Sequence, residues 1–266
     1  MAGNPTIEGL RFPLGLPGIR IAAKNLGVQK WVPDELTLNG RSLDHSDLRL
    51  VFRHLRLGFT YIAKPATAKS PGSLAVRVPH DLTVYRDQPS QSLDAIEVAA
   101  NEVKATDPTS WPPGVYTVSA ARAVKTKQVF DRLFTTSPVA FGMVPDIDTS
   151  SAPFAIAAGP PAALSIKLAA PVRVSPTGEV LQQVRTFAGG LELNGRATSG
   201  DGLTLNWEAA DSVKLKSELK AATDRGELLL LRVQVDGVDS SMLKPPVGDA
   251  LAPPREFDPA LIVTVP

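Results

Sequence analysis

Hydrophobic positions recur at every second residue along much of this chain, and the clearest run lies between Gly226 and Asp239. There Leu229, Leu231, Val233 and Val235 fall on one face of an extended strand, with Leu228, Leu230, Arg232 and Gln234 on the other. An apolar face of that length has to be buried against a second sheet, and its burial pins the register of its neighbours. Asp236-Gly237 then supplies a turn that tolerates positive φ.

The same alternation predicts strands at 6–10, 19–22, 31–38, 59–63, 74–78, 95–99, 114–120, 130–134 and 139–144 in the first half. In the second half it predicts strands at 164–168, 180–187, 191–193, 203–207, 213–216 and 261–265. Residues 44–57 fit two periods. Leu48, Leu50 and Phe52 alternate as a strand, while Leu48, Val51, Phe52 and Leu55 also fit a helix, and the strand is preferred. Asn39-Gly40 and Asn194-Gly195 read as hairpin turns, and Pro71-Gly72 as another turn. Residues 107–113, DPTSWPP, form a loop, because none of those prolines can donate to a strand ladder. A second proline-rich excursion runs from 244 to 258.

Residues 145–163 are poor in charge and bulk and rich in proline and small residues, which marks a domain division. Phe154-Ala155-Ile156 closes the first domain or opens the second. The predicted fold class is therefore all-β, with two β-sandwich domains in tandem, 1–150 and 151–266. Residues 36–41 (LTLNGR) echo 191–196 (LELNGR), but the other strands do not keep the same offset, so no repeat is assigned.

Composition agrees with this reading. The 266 residues are 43% hydrophobic, enough for packed cores, and include 24 prolines and 20 glycines to punctuate short strands. Net charge is +1 and no basic run stands out, which argues against a nucleic-acid partner. The absence of cysteine removes disulfides, thiolate metal sites and cysteine catalysis. No apolar run approaches the length of a membrane span, so no membrane insertion is expected. The opening MAGNPTIEGLRFPLG lacks the basic and apolar regions of a signal peptide, so a protein made in a cytoplasm is expected.

Candidate chemistry is sparse. His45, His54 and His80 are expected on the surface or in turns. Nucleophile-elbow and phosphate-loop motifs are both missing from the sequence. The acid pairs Asp34/Glu35, Asp146/Asp148 and Asp236/Asp239 could in principle serve as the two carboxylates of a glycosidase, but acids beside turns more often serve local hydrogen bonding. Asp146 and Asp148 offer too few oxygens for calcium, which takes about six or more. Trp31 and Trp207 sit within strand patterns and are expected in the core, which leaves Trp111 as the one sugar-stacking candidate. No catalytic, cofactor-binding or metal-binding residue is assigned, no cofactor is expected, and the chain is read as not an enzyme.

Four stretches resemble known families. Gly114-Val115-Tyr116-Thr117-Val118 resembles the G-x-Y-x-V late strand of bacterial immunoglobulin-like modules of the IPT/TIG kind. Residues 136–147, TSPVAFGMVPDI, are similar to the strand that closes such a module, with proline after the serine where the family has asparagine. Leu230 to Ser240, LLRVQVDGVDS, resembles a Y-L-V-R-V-Q-V-D-G-A-E-S segment near the end of cap proteins of phage-tail-like contractile injection systems, and 259–266 resembles how that family finishes. In that family the immunoglobulin-like domains follow a terminator domain of roughly 150 or more residues, within the usual domain size. No such domain is legible in this sequence.

The resemblance implies a non-enzymatic structural protein with two immunoglobulin-like β-sandwich domains, a cap or terminator-associated component at the end of the tube and sheath. It implies tube, sheath or terminator subunits as partners, and a homo-oligomeric, hexameric ring. It also implies assembly in the bacterial cytoplasm, followed by incorporation into a particle that can be released from the cell. The alternative reading is a carbohydrate-binding or adhesive β-sandwich protein acting through Trp111.

Overall fold

The computed structural model describes residues 6–11, 18–20, 35–45, 48–58, 60–64, 70–77, 83–86, 103–104, 112–124, 132–157, 159–243 and 256–264. Close backbone contacts group the chain into two units. The first comprises 1–19, 32–110 and 115–142, and the second comprises 20–31, 111–114 and 143–266. The division thus falls at Gly142/Met143 rather than at 150, and two short earlier segments join the second unit. Backbone hydrogen bonds explain the shift. Asp148 N donates to Lys167 O and Ala169 N to Asp146 O, so 146–148 are already stitched to the second unit.

The strands as far as residue 144 are β1 (Thr6–Arg11), β2 (Gly18–Arg20), β3 (Glu35–Arg41), β4 (Leu48–His54), β5 (Thr60–Lys64) and β6 (Ser73–Arg77). They continue with β7 (Thr83–Arg86), β8 (Val103–Lys104), β9 (Gly114–Val124), β10 (Arg132–Thr135) and β11 (Val139–Val144). One sheet has the order β1-β3-β6, and the other β2-β11-β9-β4-β5-β7-β8, with β10 also paired to β9. Each sheet has one apolar face. Leu36 and Leu38 of β3 are fully buried, as are Leu50, Phe52 and His54 of β4 and Tyr116, Val118 and Ala120 of β9. The strand reading of 48–54 holds, because burial follows period two along β4. The predicted strand at 95–99, and residues 31–34 of the predicted strand 31–38, lie outside the described residues.

Asn39-Gly40 does not turn the chain. β3 runs through both residues, with Gly40 opposite Ile7 on β1 and Asn39 opposite both Gly9 on β1 and Ser73 on β6. Pairing on both sides overrides the local preference of the dipeptide for a turn.

The second unit contains β12 (Phe154–Ala155), β13 (Ala163–Lys167), β14 (Val184–Ala188), β15 (Leu191–Glu192), β16 (Gly195–Thr198) and β17 (Thr204–Ala209). Helix α1 (Ser212–Asp224) comes next, then β18 (Leu231–Val235), β19 (Val238–Asp239) and β20 (Val263–Thr264). A three-stranded sheet, β13-β17-β16, and a four-stranded sheet, β15-β14-β18-β19, bury their inner faces in one core, a sandwich-like arrangement. Leu164, Ile166, Leu205 and Trp207 come from the first sheet, and Leu231, Val233 and Val235 from the second. β20 lies parallel to β12, and Val263 N also donates to Leu229 O, so the last described strand joins two parts of the unit.

Two local expectations fail here, and both failures have a physical cause. The hairpin between β14 and β15 turns at Gly189-Gly190, not at Asn194-Gly195, with Ala188 opposite Leu191 and Gly189 at φ 58°. Asn194-Gly195 instead carries the chain from the four-stranded sheet into the three-stranded one.

Residues 213–216 are helical, not a strand. Asp211 caps α1, its carboxylate accepting from Val213 N and Lys214 N at 3.0 Å each. Leu215, Leu219 and Ala222 recur at helical spacing and are buried, while Val213 is 81% exposed. Gly226, at φ 74°, stops the helix. Its N–H donates to Thr223 O and that of Glu227 to Ala222 O, the Schellman pattern. The described residues are mostly β, with this one α-helix among them.

Candidate functional site

The outer face of the four-stranded sheet carries a connected set of interacting polar side chains. Strand pairing places Arg185 opposite Gln234, Phe187 opposite both Arg232 and Glu192, and Gln234 opposite Asp239. Val184, Thr186 and Ala188 point to the opposite face, toward the core, because side chains alternate along β14. Phe187 is nevertheless only 8% exposed. The Arg232 guanidinium covers its ring at 4.0 Å from the centroid, and that of Arg185 approaches to 5.3 Å.

Carboxylates hold both guanidinium groups in place. Arg185 makes a two-pronged contact with Glu192, with Nε donating to Oε1 at 2.7 Å and an Nη to Oε2. Hydrogen bonding and the charge of Glu192 raise the Arg185 pKa, and the same hydrogen bonds hold Glu192 below the usual carboxylate range. Arg232 donates to Asp239 Oδ1 at 2.7 Å, which also accepts from Gln234 Nε2 at 3.1 Å. The result is a charge-balanced face with an aromatic ring under two cations. Among the described residues this face holds no nucleophile paired with a base.

Of the acids singled out in the sequence, Asp148, Asp236 and Asp239 are engaged in structural side-chain contacts. Asp148 is buried. Its Oδ1 accepts from Ser150 N at 3.0 Å and its Oδ2 meets Lys167 Nζ at 3.1 Å. Burial pushes its pKa up, but Ser150 and Lys167 together outweigh burial and hold it below the ordinary value. Asp146, also buried, accepts from Ala169 N through its backbone carbonyl.

Asp236 opens the β18–β19 turn at φ 48°, followed by Gly237 at 86°. Its two carboxylate oxygens accept from Gln183 N and Gln182 Nε2. Asp239 faces Arg232 and Gln234 instead, so the two acids of this pair hold different partners. Asp34 lies outside the described residues, and Glu35 begins β3. The described residues contain no cluster of His, Cys, Asp and Glu able to hold a metal.

His54 departs from its expected surface place. It is fully buried as the last residue of β4, accepts from Leu57 N through Nδ1 at 3.2 Å, and meets the Tyr116 ring edge-on at 4.7 Å. Tyr116 in turn stacks on Phe141, whose ring meets Phe52 edge-on. This histidine belongs to a core aromatic cluster. His45 lies half-buried in the turn before β4. Trp207 is in the core. His80, Trp31 and Trp111 lie outside the described residues.

Gln182 was not legible as special in the sequence, since nothing local marks it. It is buried, and its amide donates to Pro113 O at 2.6 Å and Asp236 Oδ2 at 2.8 Å while accepting from Arg173 N at 2.9 Å. It therefore ties three backbone segments of the second unit together. The network around Phe187 was half legible: the outward placement of Arg232 and Gln234 follows from alternation, but their partners come from β14, β15 and β19.

A groove of about 310 Å³ lies along the first turns of α1, lined by Asn194, Ala210, Asp211, Lys214, Leu215 and Glu218. Its polar groups are largely committed, with Asp211 capping the helix and Lys214 3.8 Å from Glu218. Searches against protein-family models, curated proteins and solved structures returned no match to this chain.

Proposed function

We propose that this chain is a non-catalytic structural subunit that acts as a repeated β-sandwich module within a larger particle. The observation that carries this reading is the commitment of its acidic side chains. Asp148, Asp236 and Asp239 each hold a lysine, a turn or an arginine in place, which supports a scaffold role for them over acid–base work. The strand motifs favour a more specific place, the cap or terminator-associated position of a phage-tail-like contractile injection system. In that reading both sandwiches are immunoglobulin-like, and copies close into a ring, hexameric by the resemblance. The partners are tube, sheath or terminator subunits.

Closed rings repeat one heterologous contact many times, so each contact can be weak. The charge-balanced β14–β18 face is a suitable surface for such a contact, because Arg and Phe are both enriched where proteins meet. The test is mass spectrometry of contractile particles purified from the source. The chain is expected in fixed proportion to sheath and tube subunits. A chain found free in the medium and retained on a polysaccharide column would replace this reading with the adhesive one.

A further inference from the structure

Asn194-Gly195 and Asn39-Gly40 are the same dipeptide in two different backbone settings. In the first, Asn194 O accepts from Ala210 N at 3.1 Å, so this carbonyl faces β17. The peptide unit is planar and trans, so the Gly195 N–H points the other way, away from β17. β16 is the edge of its sheet, and no strand among the described residues pairs with that side of Gly195. Both residues are exposed. Glycine is also required here, because a Cβ at 195 would run into the Trp207 ring and Glu208 O. Packing of the core tryptophan therefore preserves the least hindered residue possible next to Asn194.

Asn39-Gly40 differs in one decisive respect. Gly40 N donates to Gly72 O at 3.0 Å, in a central strand paired on both sides. Asn39 is exposed too, although Gly40 is half-buried, so exposure of the asparagine does not separate the two sites.

We propose that Asn194 is a site of spontaneous deamidation in the folded protein and that Asn39 is protected. The Gly195 nitrogen gives up its proton and attacks the Asn194 side-chain carbon. An N–C bond forms, the bond to the amide nitrogen breaks, and ammonia leaves with the proton. Water then opens the cyclic imide at either carbonyl, yielding aspartate or isoaspartate, and nothing is oxidised or reduced. The new carboxylate joins Asp211 and Glu218 along the α1 groove. Isoaspartate also adds a methylene to the main chain where it crosses between sheets, which pulls on the Ala210 N to Asn194 O bond.

The test is peptide mapping of the full chain after incubation in mildly alkaline buffer, once folded and once unfolded in urea, with fragmentation that distinguishes isoaspartate. In the folded protein the 194 peptide should convert about tenfold or more faster than the 39 peptide. That ratio corresponds to an opening cost of about 1.4 kcal/mol for the paired strand. In urea the two peptides should convert at similar rates. Asn194→Gln should remove the modified 194 species and leave the slow 39 signal in place. Equal rates in the folded protein, faster conversion at Asn39, or conversion of Asn194 only in urea would overturn the proposal.

Discussion

β18 and α1 line the same core by different periods. β18 contributes Leu231, Val233 and Val235 at every second residue, while α1 contributes Leu215, Leu219 and Ala222 at steps of four and three. Over four residues the two segments look alike, since Val213-Lys214-Leu215-Lys216 alternates as well as Leu231-Arg232-Val233-Gln234 does. What separates them lies further out. The helix has a capping aspartate before it, a stop glycine after it and two more apolar residues at helical spacing. The strand has a turn at Asp236-Gly237 that folds β19 back on it. Short alternation is therefore weak information until its boundaries are read with it.

The largest expected effect breaks the strand side of this pairing. Val233 has no exposed surface, and Val233→Asp would bury a charge with no partner in an apolar core. The cost is several kcal/mol, with loss of the cooperative thermal transition of the second unit. A shift of only a degree or two by circular dichroism would mean that β18 is misregistered.

A smaller effect sharpens the helix side. Asp211→Ala removes the acceptor for two otherwise unbonded N–H groups and should cost about 1 kcal/mol in urea unfolding. Asp211→Asn should recover most of that loss, because asparagine also caps. If alanine and asparagine were equally destabilising, capping would not be the reason.

The smallest effect lies on the outer face of the same strand. Gln234→Ala removes a 3.1 Å bond to Asp239 and a 3.5 Å contact with Arg185, both exposed, and should cost about 0.5 kcal/mol or less. A cost equal to that of Val233→Asp would show that the two faces of β18 have been exchanged.

Much of the β framework was legible because face alternation is a local property. A strand half-buried on one side must repeat every second residue wherever it sits, and β4, β11, β13, β17 and β18 were read in that way. The burial of His54 was also within reach, since it continues the series Leu48, Leu50, Phe52 by one more step. The contacts of Phe187 with Arg232 and of Gln182 with Pro113 and Asp236 were not legible, because those residues are distant in sequence. Pro113 O, for example, lies 69 residues from Gln182.

The sequence by itself determined the β-rich class, the apolar faces of the main strands and the positive-φ turn at Asp236-Gly237, each set by neighbours a few residues away. Only the tertiary structure decided the fate of the two Asn-Gly pairs. Asn39-Gly40 became part of a strand because β1 and β6 satisfy it from both sides. Asn194-Gly195 became a crossing between sheets because Trp207 packs against the glycine and β17 takes only one edge of the strand. A turn preference of a dipeptide is small beside the hydrogen bonds and burial that two neighbouring strands supply, so identical residues took different paths.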